Sequence, residues 1–120
     1  MSRKRTVLMS VMFAGLLAGA AQAETALSIK VPGGPDAIDN EAIYDCGDFT
    51  LKARYVTSGE ISLARLEWPE HLTVAAQVIA ASGARYAAGP WVWWTKGDGA
   101  TLYNVMNGES DPGIACETAS

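Results

Sequence analysis

Two short motifs carry the side chains of this sequence with the most chemistry to offer. Ser82-Gly83-Ala84-Arg85-Tyr86 and Trp94-Thr95-Lys96-Gly97-Asp98 place a hydroxyl and an ammonium fourteen positions apart, each followed by a glycine. A serine hydroxyl both donates and accepts, and a lysine ammonium pairs with a carboxylate. Gly83 and Gly97 allow backbone geometry that other residues resist, so Ser82 and Lys96 are expected at strand ends, projecting from a loop edge. Three tryptophans lie between and beside them. In a strand, Trp91 and Trp93 share one face, while Trp94 shares the other with Val92 and Lys96. At least one tryptophan is therefore expected near the surface, where Trp is typical of an interface anchor. A plainer reading stays open, with Ser82 stabilising a turn, Lys96 solvated at a strand end and the tryptophans all core.

Other chemistry finds little support. His71 is the only histidine, it sits beside a proline-containing turn, and no serine has the G-x-S-x-G surroundings of a nucleophile elbow. Gly97-Asp98-Gly99 lacks the spacing of a phosphate loop. The 13 acidic residues single out no carboxylate pair. No catalytic residue, cofactor or metal site is assigned, and an enzyme is not expected. Cys46 and Cys116 are the only cysteines; a zinc site would have only His71 to add, so a disulfide is the default reading in an oxidising compartment.

That compartment is suggested by the N-terminus. Arg3, Lys4 and Arg5 precede the apolar stretch 7–17, and Ala21-Gln22-Ala23 is a small-x-small cleavage site, the pattern of a secretory signal peptide over residues 1–23. The apolar stretch is too short to span a bilayer. Removing it takes away three of the nine cations and no acid, leaving six against 13 acids, a net charge of −7. Such a chain is a poor binder of phosphate backbones, so a nucleic acid is not expected, and a basic partner is.

The motifs need elements to hold them. Residues 24–40 include Pro32-Gly33-Gly34-Pro35 with little periodicity and read as a linker or loosely docked arm, leaving 41–120 as one domain. Phe49, Leu51, Ala53 and Tyr55 alternate with polar residues, as a half-buried strand requires. Residues 61–68 form a second run, whose change of phase near Leu63-Ala64 suggests a bulge. Residues 72–81 fit both a strand and a helix; the strand is favoured because its neighbours are short strand-and-turn units. Further strands are expected at 84–87, 91–96, 100–105 and near Cys116. Turns recur about every 8–12 residues with no convincing long helix, so the fold class is all-β, a small antiparallel barrel or sandwich.

Tyr44-x-Cys46, the Ser82 motif, Trp94-Thr95-Lys96-Gly97-Asp98-x-Ala100-Thr101-Leu102 and Cys116 together resemble the bacterial inhibitors of c-type lysozyme, a family with membrane-bound and periplasmic branches (MliC and PliC types). The resemblance runs from Ile43 to Cys116. It implies a β-barrel of about eight strands closed by one disulfide, and a c-type lysozyme as partner. It also implies that Ser82 and Lys96 enter the enzyme's cleft, with Gly83, Arg85, Tyr86, Thr95, Gly97 and Asp98 supporting them. The membrane-bound branch ends its signal with Leu-Ala-Gly-Cys, whereas Leu17-Ala18-Gly19 is followed here by Ala20. The expectation is therefore a soluble periplasmic protein without a lipid anchor. Two rival readings are a small-ligand-binding barrel and a module that docks on an envelope protein. The sequence leaves open whether the chain forms homo-oligomers.

Overall fold

The computed structural model describes residues 25–28, 30 and 33–119. The signal-like segment 1–23 and part of the arm lie outside the described residues. Eight strands run in chain order as β1 (Ile38–Asp45), β2 (Thr50–Ser58), β3 (Ile61–Trp68), β4 (His71–Val78), β5 (Ala84–Ala88), β6 (Trp91–Lys96), β7 (Gly99–Asn104) and β8 (Ile114–Thr118). Every strand pairs antiparallel with its neighbours in sequence, and β8 returns to β1, closing the barrel. The expected all-β barrel is what forms. Closure removes the free sheet edges that an open meander of this length would expose.

The inward residues follow from strand alternation. Leu51 and Ala53 of β2, Ala64 and Leu66 of β3, Ala75 of β4, Trp93 of β6 and Leu102 of β7 are all buried in one cluster. Trp93, fully buried, meets Tyr44 edge-on at 4.9 Å. Its indole N–H donates to the Tyr55 hydroxyl at 2.8 Å, and Tyr55 shares a second 2.8 Å hydrogen bond with Tyr44. A buried N–H left without a partner would cost about 1–3 kcal/mol, so this chain of rings and hydroxyls lets polar atoms occupy an apolar interior. Side chains from all eight strands meet in the interior as one buried cluster.

Three details differ from the sequence reading. Strand β1 begins at Ile38, inside the segment read as an arm, because Ile38 to Asn40 pair with Thr57 to Tyr55 and Arg54 holds Asp39 through two hydrogen bonds of 2.9 and 2.8 Å. No bulge interrupts β3: its register runs unbroken from Ser58↔Ile61 to Lys52↔Glu67 and from Leu63↔Ala76 to Trp68↔His71. The change of phase arises because Leu63 is an apolar residue on the outer wall. The segment from His71 is indeed a strand, yet its apolar alternation faces outward. Leu72 and Val74 are exposed, and Ala75 is the buried residue of the strand.

The disulfide joins Cys46, just after β1, to Cys116 in β8, beside the two residue pairs Tyr44↔Thr118 and Asp45↔Glu117 that close the barrel. It spans 70 residues of sequence, so replacing both cysteines by serine is expected to cost about 4 kcal/mol through the unfolded chain, measured by denaturant unfolding.

Burial, above all, raises the Tyr55 phenol above its ordinary range, with the hydrogen bond from Trp93 opposing. The folded state therefore keeps the proton that an unfolded tyrosine releases above about pH 10. Stability should be intact below that pH and fall as pH rises beyond it. Unfolding curves between pH 8 and 11 should show this, with a shallower alkaline loss in Tyr55→Phe.

Candidate functional site

Successive turns of an up-and-down barrel alternate between its two ends, so the β4–β5 connection (79–83) and the β6–β7 turn (97–98) emerge together. Between them, β5 pairs with β6 from Ala84↔Thr95 to Ala88↔Trp91. The Ser82 motif and the Lys96 motif are thus the same ends of two neighbouring strands.

Gly83 makes the contact that fixes one against the other. Its φ is +67°, a conformation that side-chain-bearing residues rarely adopt. A Cβ at this position would collide with the Thr95 carbonyl oxygen and lie 2.8 Å from Lys96 Cγ. The Gly83 backbone therefore rests directly on the Thr95–Lys96 segment. Thr95 reinforces it, its hydroxyl donating to the Ala84 carbonyl at 3.3 Å. Gly97 has a φ of +56° with open space around it, so its role is to form the turn. Asp98 acts through its main chain, its carbonyl accepting from the Thr118 N–H at 2.9 Å and tying the turn to β8.

Trp94 lies on the outer wall and links both motifs. Its indole N–H donates to the Ser82 carbonyl at 2.8 Å. The Lys96 ammonium stands 4.7 Å from its ring centre, and the Arg85 guanidinium stands 5.8 Å away. Both distances are within reach of the cation–π attraction. Ser82 and Lys96 themselves are exposed. Among the described residues neither side chain has a protein hydrogen-bond partner, which leaves hydroxyl and ammonium available to another molecule.

The supporting residues divide by face. Tyr86 points inward, buried, with its ring 5.6 Å from that of Tyr55. Arg85 points outward, and its Nε is buried without a hydrogen-bond partner among the described residues. The structure therefore seats Gly83 on Thr95 and Lys96, and Trp94 ties Ser82, Lys96 and Arg85 to the same edge, with Gly97 forming the adjoining turn. Trp94 as the link was missed by motif reading alone; strand alternation, which sets it opposite Trp93, was the signal for it. His71 lies elsewhere, starting β4 and stacked on Trp68 at 4.7 Å. No group of three or more His, Cys, Asp or Glu that could hold a metal occurs among the described residues.

Comparison with known proteins follows the same strands. A family model described as membrane-bound lysozyme-inhibitor of c-type lysozyme matches residues 44–111. A protein of Pseudomonas aeruginosa PAO1 named membrane-bound lysozyme inhibitor of C-type lysozyme is 39% identical over 94 residues, covering 74% of this chain and 72% of its own. A protein of the same name from Cupriavidus necator is 34% identical over 110 residues, covering 88% of each. The crystal structure of Pseudomonas aeruginosa MliC in complex with hen egg white lysozyme is similar at a TM-score of 0.67 and 33% identity, covering 80% of this chain and 98% of that one.

These names overturn one expectation. The sequence pointed to a soluble periplasmic protein of the unanchored branch, whereas the matching family and both relatives are described as membrane-bound. The expectation rested on the residue after Leu17-Ala18-Gly19, which speaks to a single route of attachment.

Gly83→Ala tests the central contact of the site. The variant must abandon both its φ and its seat on Thr95, so it should lose roughly 1–3 kcal/mol of stability in thermal unfolding. The largest amide shift changes in NMR spectra are expected at residues 82–84 and 94–97.

Proposed function

The chain belongs to the MliC family of c-type lysozyme inhibitors, and from that membership we propose that it inhibits a c-type lysozyme by setting Ser82 and Lys96 into the enzyme's active-site cleft. The observation that carries this reading is the seat of Gly83 on the Thr95–Lys96 segment, which presents an exposed hydroxyl and an exposed ammonium from one rigid edge.

Retaining glycosidases use two carboxyl groups about 5–5.5 Å apart, one an acid and one a nucleophile or stabiliser. The Lys96 ammonium neutralises and occupies the ionised carboxylate. The Ser82 hydroxyl, able to donate or accept, satisfies the other in either protonation state. The hairpin ends then fill the sugar subsites. Inhibition on this account needs no bond to form or break, and no cofactor or metal takes part.

Preorganisation is what the surrounding residues contribute. The Lys96 ammonium is confined near the edge by the face of Trp94, and Ser82 is carried on a main chain fixed by the indole N–H. Fewer rotamers are then frozen on binding, which lowers the entropic cost of association. The acidic mature chain, at −7, favours encounter with a basic enzyme. Residues 1–23 act as the export segment, supported by the basic run at Arg3–Arg5 and the Ala21-Gln22-Ala23 site. Delivery to an oxidising compartment suits the Cys46–Cys116 bond.

The test is a lysis assay with purified protein and a c-type lysozyme. Lys96→Ala should weaken inhibition by about 2–5 kcal/mol, chiefly through faster dissociation, because it leaves a buried carboxylate unpaired. Ser82→Ala should cost about 1–2 kcal/mol as a lost hydrogen bond. Association should slow as salt rises. Unchanged inhibition by Lys96→Ala would exclude this site, and absence of inhibition together with capture of an envelope protein would favour the docking-module reading.

A further inference from the structure

Next to the Ser82 loop, the outer wall is hollowed. A groove of about 600 Å³ runs between the β2–β3 turn and the β4–β5 connection, lined by Ile61, Leu63, Val78, Ile79 and Gly83, with Glu60, Ser62 and Gln77 giving it polar surface. Ile79 is 96% exposed, on the same connection as Ser82 and three positions before it. A large aliphatic side chain held in water at a loop position gains nothing for the fold. Leu63 is apolar on the outer face for no reason the barrel core supplies. Glu60 is the single charged residue of the groove, and it is anionic.

We infer that this groove is a second contact site for the same lysozyme, with Ile79 as its apolar anchor and a lysine or arginine side chain of the enzyme as its occupant. The inference rests on the function proposed above and extends its footprint. An aliphatic stem ending in a cation matches a groove that offers aliphatic side chains, polar groups and a single carboxylate. Two observations favour this partner over others. Gly83 both lines the groove and seats the Lys96 strand, so a molecule placed on Ser82 and Lys96 already lies beside the groove. The acidic charge of Glu60 and of the mature chain complements a basic enzyme. Ile79 would then act as a small hydrophobic hot spot next to a polar one.

Binding kinetics of the purified protein on hen egg white lysozyme, by surface plasmon resonance, test this. Ile79→Ser should weaken binding about tenfold, mostly through faster dissociation, and Ile79→Leu should restore most of it. Glu60→Gln should slow association and flatten its salt dependence. Leu72→Ser, an exposed apolar change at the far end of β4, should bind like wild type. The groove assignment is overturned by Ile79→Ser and Glu60→Gln binding like wild type while Lys96→Ala does not. It is equally overturned by equal losses in Leu72→Ser and Ile79→Ser. A free protein that sediments as a dimer, dissociated by Ile79→Ser with lysozyme affinity intact, would reassign the groove to self-association. Wild-type protein that fails to bind lysozyme at all would remove the premise itself, a result that Lys96→Ala and Ile79→Ser could not produce separately.

Discussion

One buried indole organises this molecule. Trp93 is fully buried inside a closed eight-stranded barrel, a strand count whose interior side chains can fill. Its N–H must find an acceptor there, and the Tyr55 hydroxyl, itself bonded to Tyr44, provides one. Small residues share the interior with it, Ala53, Ala64 and Ala75 belonging to the same buried cluster. On β4, Leu72 and Val74 turn outward while Ala75 faces the core.

Strand alternation then carries the constraint to the surface. With Trp93 committed to the interior, its neighbour Trp94 must face out. On the outer wall it meets the Ser82 carbonyl, Arg85 and Lys96. The edge that carries Ser82 and Lys96 is thus a consequence of core packing one residue away. Gly83 completes it from the other side, since the approach of its backbone to Thr95 depends on the absence of a side chain. Two hairpin ends that could move independently are joined by a glycine contact beneath and an indole above.

Much of this was legible in the residues. The alternation of Leu51, Ala53 and Tyr55, the turn glycines and the regular spacing of short runs gave the strands and the barrel. The Ser82 and Lys96 motifs were visible because polar residues beside turn glycines stand apart from strand patterning. What stayed hidden needed register. The outward face of β4 cannot be read from Leu72-x-Val74-x-Ala76, because alternation identifies a strand without saying which side is wet. For the same reason the apolar Leu63 looked like a bulge. The start of β1 at Ile38 depends on Thr57 and Arg54, distant in sequence, so local composition marked it as an arm. The role of Trp94 required knowing which of three tryptophans the core would take.

The order of the strands also sets an order of events. Each strand from β1 to β8 pairs with its sequence neighbour, so seven of the eight interfaces are local hairpins that can form as the chain emerges. The eighth, between β8 and β1, has to wait for the C-terminus. Until β8 is present, the first seven strands can form only an open meander with β1 as a free edge. The Cys46–Cys116 bond, which needs both thiols and an external oxidant, can take its native pairing only after β8 has been made, and so comes at the end of that sequence.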